Sequence, residues 1–433
     1  MDQQFRLIGQ GHRAIDLARR PGVRLYSKGE FQRVAETVSA AFWTDTFIPL
    51  LRRAASERIA SRLTAAAKRA HANAGTYGVA AIGAAELATE VIFDSHLVKP
   101  RQEFQSRIDI YRDFAALRKS RANLCLALPL FSRKPVSPVK NRGHYPDLAE
   151  IASLLRCYQL AALLSWAYDE EVRFLVFADG VKYRRACGTP LSQIRTYQQA
   201  LRFWCTELRI GDLVEIVDYE DAVHAALGTE ETERREARYR AYRDELHARY
   251  GRHFDPRTPA ESLAVIERIS AEGEQLGYIF RSLAASVHYR TGNLAERVTQ
   301  HEDAAAERYI TYLAHLLDPA GDTAEEDLAL RAEAWGAATR YVAISMVDRE
   351  LEIWSLINPA GVKLTTHAKP GEVELLPTRN PNLTAQHCVG GIARSLTGSK
   401  VTNRYRLEHE SRGDSLTPTP RTNASSSGCG PSW

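Results

Sequence analysis

No run of apolar residues in this 433-residue chain approaches the roughly 20 that a helix needs to cross a bilayer. A membrane-spanning reading therefore has nothing to stand on. Charge of one sign is missing too: 57 basic against 53 acidic residues leave a net +4. That is far from the concentrated basic surface of a nucleic-acid binder. There is no C-x-x-C pair; Cys125, Cys157, Cys187, Cys205, Cys388 and Cys429 are scattered. They read as buried thiols in a reducing compartment, not as a disulfide frame or a zinc site. The opening "MDQQFRLIGQGHRAIDLARR" lacks the apolar core of a secretory signal. Being basic with some helical periodicity, it leaves an organelle presequence as the alternative to the expected soluble, cytoplasmic protein. No internal repeat is visible.

What is present is globular. Hydrophobic residues at 44% and charged residues at 25% suit one large domain or two ordinary ones with an ample core. Phe31, Val34, Val38 and Phe42 fall at helical spacing, and Leu51, Ala55, Ile59 and Leu63 continue a helical pattern. About residues 1–100 are therefore expected to be a mainly helical lead-in. The texture then changes. "NLCLALPLF" (Asn123–Phe131) reads as a buried strand and feeds a loop with four cations. Pro146 suits a first helical turn, with Asp147 and Glu150 at the positive end of the dipole. Leu148, Ile151, Leu155, Tyr158 and Ala162 carry the helical stripe, and Val172–Ala178 reads as the next strand. Strand, loop, helix, strand favours a parallel α/β unit. The expected fold is thus α/β: a Rossmann-like, mostly parallel sheet flanked by helices, with a helical N-terminal lead-in. Helices are expected from about residue 231 to 252, 260 to 285, 294 to 317 and 325 to 356. Glu231–Arg252 is rich in Arg, but its interspersed acids make it a solvated helix, not a nucleic-acid contact. "GVKLTTHA" (Gly361–Ala368) and "EVELLP" (Glu372–Pro377) are two further strands. Residues 411–433, rich in Ser, Thr, Pro and Gly, read as a disordered tail after a domain of about 101–410.

Four segments are able to carry chemistry. In the loop Phe131–Gly143, Arg133, Lys134, Lys140 and Arg142 precede a helix start, where free N–H groups favour an anion. A flexible basic surface loop fits the same composition, and this is no P-loop. On "VKLTTHA", Lys363, Thr365 and His367 share one face of a strand, which looks either into a cleft or into water. His387 precedes Cys388, but adjacent residues on a strand point to opposite faces, so the two are not a dyad. His367 and His387 have no third ligand at metal spacing, and no metal is expected. Finally, "RFLVFADGVKYRR" ends its apolar run in Asp179-Gly180, either a turn or a carboxylate at the mouth of a site.

These pieces together resemble the pyoverdine/dityrosine biosynthesis family, whose members include isonitrile synthases. In that family a loop F-P-x-K-S-x-N-x-x-K-V-x-G leads into P-D-x-x-E. Phe131, Lys134, Lys140, Gly143, Pro146, Asp147 and Glu150 match it. An apolar strand ending in D-G is matched by Asp179 and Gly180, and a later Tyr by Tyr197. Lys363-Leu364-Thr365-Thr366-His367-Ala368 approximates the family's R-L-S-I-H-P, and Thr384-Ala385-Gln386-His387 its T-P-W-H. The resemblance covers about residues 100–400. Departures include Ser132, Arg133, Pro135, Ser137 and Asn141 in the loop, Lys363 for an Arg and Gln386 for a Trp. Lysine keeps the charge but loses the planar fork that grips two oxygens.

The resemblance implies an enzyme that joins the amine of an aromatic amino acid, tyrosine or tryptophan, to the ketone of ribulose 5-phosphate, giving an isonitrile. No metal or redox cofactor is implied. Lys134, Lys140 and Arg142 would bind phosphate. His367, His387, Asp179 and Lys363 would be catalytic, and Asp147, Glu150 and Tyr197 would bind substrate or support the site. An Fe(II)/2-oxoglutarate oxygenase in the same pathway is the implied partner. A product that is an N-formyl amino acid, or a lapsed member that binds a metabolite without turnover, fits the substituted motifs as alternatives.

Overall fold

The computed structural model describes residues 4–11, 24–28, 31–39, 48–93, 98–100, 103–129, 131–132, 146, 148–290, 324–358, 361–365, 373–375 and 404–409. Among them the strands are β1 (Gln4–Gly11), β2 (Arg24–Lys28), β3 (Phe31–Ser39), β4 (Val98–Pro100), β5 (Leu124–Pro129), β6 (Val172–Ala178), β7 (Val214–Asp218), β8 (Gly361–Thr365), β9 (Val373–Leu375) and β10 (Arg404–His409). Helices α1 (Ile48–Ala72), α2 (Ala74–Tyr77), α3 (Ala84–Ile92) and α4 (Glu103–Lys119) precede β5. Helix α5 (Leu148–Ala167) links β5 to β6 in sequence, and α6 (Gly180–Cys187) and α7 (Leu191–Glu207) link β6 to β7. Then follow α8 (Tyr219–Tyr250), α9 (Pro259–Ile269), α10 (Ala271–Arg290), α11 (Glu325–Glu350) and α12 (Ile353–Ile357).

The main sheet has the order β4-β9-β8-β5-β6-β7. β8, β5, β6 and β7 pair in parallel, β9 joins β8 in parallel, and only β4 runs antiparallel. This is the expected mostly parallel α/β sheet, with Val172–Ala178 as an interior strand. From β5 the chain builds outward through β6 to β7, then returns to the other flank of β5 to lay down β8 and β9. That reversal puts a topological switch point between β5 and β8, where open parallel sheets form a crevice beyond their carboxyl ends.

Both faces of the sheet are covered. Leu124, Leu126 and Leu128 of β5 with Phe174 and Val176 of β6 share a core with Leu154, Leu155 and Leu163 of α5, joined by Val91 and Ile92 of α3. On the opposite face Ala127 and Phe177 meet Tyr219 and Val223 of α8 and Ile353 of α12. The alternation is what a period of two requires when each face buries its own set. A third core, around Leu246, Leu263, Phe280, Trp335 and Val342, makes α8–α11 a helical layer of its own. Phe254 stacks on Trp335 at 4.5 Å within it. Among the described residues no helix is long and apolar enough to cross a membrane.

One expectation needs correcting. The stripe Phe31, Val34, Val38 and Phe42 reads as helix, yet Phe31–Ser39 is strand β3, paired antiparallel with β1 and with β2. Val34 and Val38, four residues apart, share a face in a helix and in a strand alike, so their spacing does not discriminate. β-branched Val and Thr then favour the sheet once partner strands are present. The helical lead-in holds from Ile48 onward. β10 completes that small antiparallel sheet beside β1. The expected helix over 294–317 and the tail 411–433 lie outside the described residues. Of the cysteines, Cys157, Cys187 and Cys205 are buried thiols and Cys125 is half-buried.

Candidate active site

The site is built where β5 and β6 end. Beyond β5, Phe131 is fully buried with φ +62°, a left-handed conformation that costs a bulky residue strain and clusters at functional positions. Ser132 follows, and its hydroxyl donates a short hydrogen bond to Oδ1 of Asp179. Beyond β6, Asp179 occupies the N-cap position of α6, but its side chain caps nothing. Gly180 explains the Asp-Gly pair. A Cβ there would lie 1.7 Å from the Ser132 carbonyl oxygen and 2.9 Å from Ile194. The glycine is needed for the close passage of the neighbouring loop, and the carboxylate it follows is free to serve that loop. Asp179 is therefore held toward that loop and is not spent on capping the helix it precedes.

Asp179 keeps part of its surface accessible although protein crowds its carboxyl. Burial raises its proton affinity above the ordinary carboxyl value, and the negative charge of Asp218 adds to that. The Ser132 hydrogen bond and the Lys182 ammonium oppose it without cancelling it. A carboxyl raised in this way is able to hold or release a proton nearer neutrality.

One helical turn further, Lys182 and Tyr183 extend the site. Lys182 Nζ lies 2.7 Å from Asp348 Oδ2, with both side chains buried. The same ammonium sits 4.5 Å from the centre of the Tyr219 ring and 4.9 Å from that of Tyr183. Burial alone would lower its pKa, but Tyr219 and Asp348 reverse this, and the group is held as a cation. Asp348, from α11, also accepts hydrogen bonds from Arg235 at 2.7 and 2.9 Å, from Tyr219 at 2.8 Å and from Tyr239 at 2.5 Å. Arg235 in turn makes a bidentate pair with Glu220. Burial would raise Asp348, yet Lys182 and Arg235 hold it well below the usual carboxyl range. Tyr183 stacks on Tyr341 with centroids 3.9 Å apart and shares a 2.9 Å hydrogen bond with Ser345. Burial, chiefly, keeps both phenols protonated.

At the end of β7, Asp218 caps α8 by accepting from the backbone N–H of Glu220 and Asp221. It also accepts from Gln198 at 2.7 Å and from Arg195 at 3.2 Å. Tyr197, on the same helix as Gln198, donates to Glu150 Oε1 at 3.1 Å, a fully buried pair that ties α7 to α5.

Of the residues expected from sequence, Asp179 thus stands at the centre of the described cluster, and Glu150 pairs with Tyr197. Lys363 lies on β8 in register with Ala127 of β5, so the strand that leads toward His367 borders the switch point. Lys134, Lys140, Arg142, Asp147, His367 and His387 lie outside the described residues. Sequence reasoning missed Ser132, Lys182, Tyr183, Tyr341, Arg235 and Asp348. Lys182 and Tyr183 were within reach, three and four residues after Asp179 and so one turn along the helix that follows. Among the described residues no group of three His, Cys, Asp or Glu is arranged to hold a metal ion.

A family model described as pyoverdine/dityrosine biosynthesis protein matches residues 115–389. Among solved structures, the crystal structure of the PvcA protein from Pseudomonas aeruginosa is similar, at 20% identity and a TM-score of 0.47, over 70% of this chain and 88% of that one. No curated protein matches.

Proposed function

The chain belongs to the pyoverdine/dityrosine biosynthesis family, matched over more than half its length, and we propose that it is an isonitrile synthase-like enzyme of secondary metabolism. It would condense the amine of an aromatic amino acid with the ketone of ribulose 5-phosphate. The observation that supports this best is Asp179, a partly accessible carboxyl of raised proton affinity just beyond the carboxyl end of a strand in a parallel sheet.

Imine formation from an amine and a ketone moves two protons from nitrogen to the ketone oxygen, one on addition and one as the hydroxyl departs as water. Asp179 is suited to exchange such a proton, and Ser132 keeps its Oδ1 oriented. His367 and His387 would shuttle further protons near neutral pH, and Lys363 would hold a carboxylate or oxyanion. The cations Lys134, Lys140 and Arg142 follow β5 in the chain and would bind the sugar phosphate by charge-assisted hydrogen bonds. An Fe(II)/2-oxoglutarate oxygenase would act on the product.

Incubating the purified protein with ribulose 5-phosphate and each proteinogenic amino acid, with mass detection, tests the reading. The mass of an isonitrile acid is expected; that of an N-formyl amino acid would assign the other product class. Binding of the sugar phosphate without turnover would refute the enzymatic reading. Lys134→Ala together with Lys140→Ala should weaken sugar-phosphate binding, each lost bond costing on the order of 1.5–3 kcal/mol. His367→Gln or His387→Gln should lower turnover by about 10²–10⁴-fold at unchanged melting temperature.

A further inference from the structure

We propose that Lys182 and Asp348 are positioning residues: Asp348 reaches in from the helical layer to clamp Lys182 as a fixed ammonium, and that charge governs when Asp179 ionises. The inference rests on reading Asp179 as the proton-transfer group, and its test does not depend on turnover.

Lysine in a site for carbonyl chemistry invites a different role, as a neutral amine that forms a Schiff base. The surroundings argue against it. Lys182 is bonded to a carboxylate at 2.7 Å and lies against the rings of Tyr219 and Tyr183. Each of these favours the charged form. A nucleophilic lysine needs the opposite environment, apolar or beside another cation. Asp348 is itself fixed from three other sides by Arg235, Tyr219 and Tyr239, so the ammonium has little freedom to leave. The clamp therefore supplies a permanent charge one helical turn from Asp179.

Among the described residues, groups from several neighbouring elements bear on Asp179. Ser132 comes from the end of β5, Lys182 and Tyr183 from α6, Asp218 from the end of β7 and Tyr341 from α11. Ser132, Tyr183 and Tyr341 are neutral and Asp218 is anionic, so Lys182 is the one cation of this set. Arg235, the other buried cation at this junction, is committed to Asp348 and Glu220.

The test is a cycle of four proteins: the wild type, Lys182→Met, Asp179→Asn and the double variant, each melted across a pH series. The folded-state pKa of Asp179 is raised, so the native state loses stability as pH rises from the ordinary carboxyl range through that pKa. Asp179→Asn should recover this loss at neutral pH, while its amide oxygen still accepts from Ser132. With Lys182 replaced by Met, Asp179 ionises less readily, so the same substitution should recover more. The stability gap between each Asp179-containing protein and its Asn partner should set in at the same pH in both backgrounds, near the ordinary carboxyl value. The pH at which it levels off should rise by about one unit without Lys182, the low end for an opposite charge at close range. If Asp179→Asn has equal effect in both backgrounds at every pH, Lys182 does not act on Asp179 and the proposal is wrong. Should Lys182→Met not fold, Lys182→Gln with Asp348→Asn removes the cation together with its clamp and carries the same expectation. Where turnover is measurable, the acid limb of kcat/KM should move upward with the same variants. A fall in melting temperature with an unmoved pH profile would make the pair merely structural.

Discussion

Gly180 shows how one missing side chain makes room for a site. The Ser132 carbonyl passes where a Cβ would sit, at 1.7 Å, and that contact is backbone, not the yielding end of a side chain. Gly180→Ala must therefore move either the loop after β5 or the start of α6. We expect a cost of about 1–3 kcal/mol in chemical denaturation, with Asp179 losing its bond from Ser132. Wild-type stability would mean that the loop yields freely and that the approach is not a constraint. The sequence made the Asp-Gly pair visible and left its meaning open, because a turn and a close approach use the same two letters. Lys182 and Tyr183 lay in the same stretch, and their role depends on α11, more than 150 residues away. Nothing local to "RYVAISMVDRE" (Arg340–Glu350) reveals that Tyr341 and Asp348 come back to this helix.

Elements were legible where their pattern was strong and local. β5, α5, β6, β8 and β9 lie where apolar runs and the Pro146 helix start indicate. β7 escaped notice because "VEIVD" is short, carries two acids and is buried on alternate residues only. Like β6, it delivers an Asp at the N-cap of the helix that follows, and that repetition was a usable signal. β3 was misread for the reason that two valines four apart suit either period. The helices flanking the sheet are held by polar pairs as well as by apolar faces. Tyr197→Phe removes the hydroxyl that bonds Glu150 between α7 and α5, and should cost about 0.5–1.5 kcal/mol. Asp218→Ala should cost more: about 1–2 kcal/mol for the cap of α8, with the buried Gln198 amide also left without its acceptor. Equal, negligible losses in thermal melts of the two variants would show that helix position is fixed by apolar packing alone.

At the scale of the molecule, the order of the strands follows from pairing across hundreds of residues and has no local signature, although the parallel class does. The same long range governs the junction between the sheet and the helical layer, where Lys182 of α6, Arg235 of α8 and Asp348 of α11 meet almost out of solvent. Buried ion pairs add little over an apolar filling, but removing one partner strands the others. Asp348→Ala leaves Lys182 facing two aromatic rings and Arg235 with Glu220 alone, and should cost about 3–5 kcal/mol at neutral pH. The pH dependence gives the check a sign. Asp348 has a depressed folded-state pKa, so its contribution is complete above the ordinary carboxyl value of about 4 and is lost as pH falls below it. The gap between wild type and Asp348→Ala should therefore narrow by about 1 kcal/mol at about pH 3. Guanidinium denaturation at both pH values measures it. A gap below about 1 kcal/mol at neutral pH, or one that does not change on acidification, would mean that apolar contacts across α6, α8 and α11 hold the two layers together without the ions.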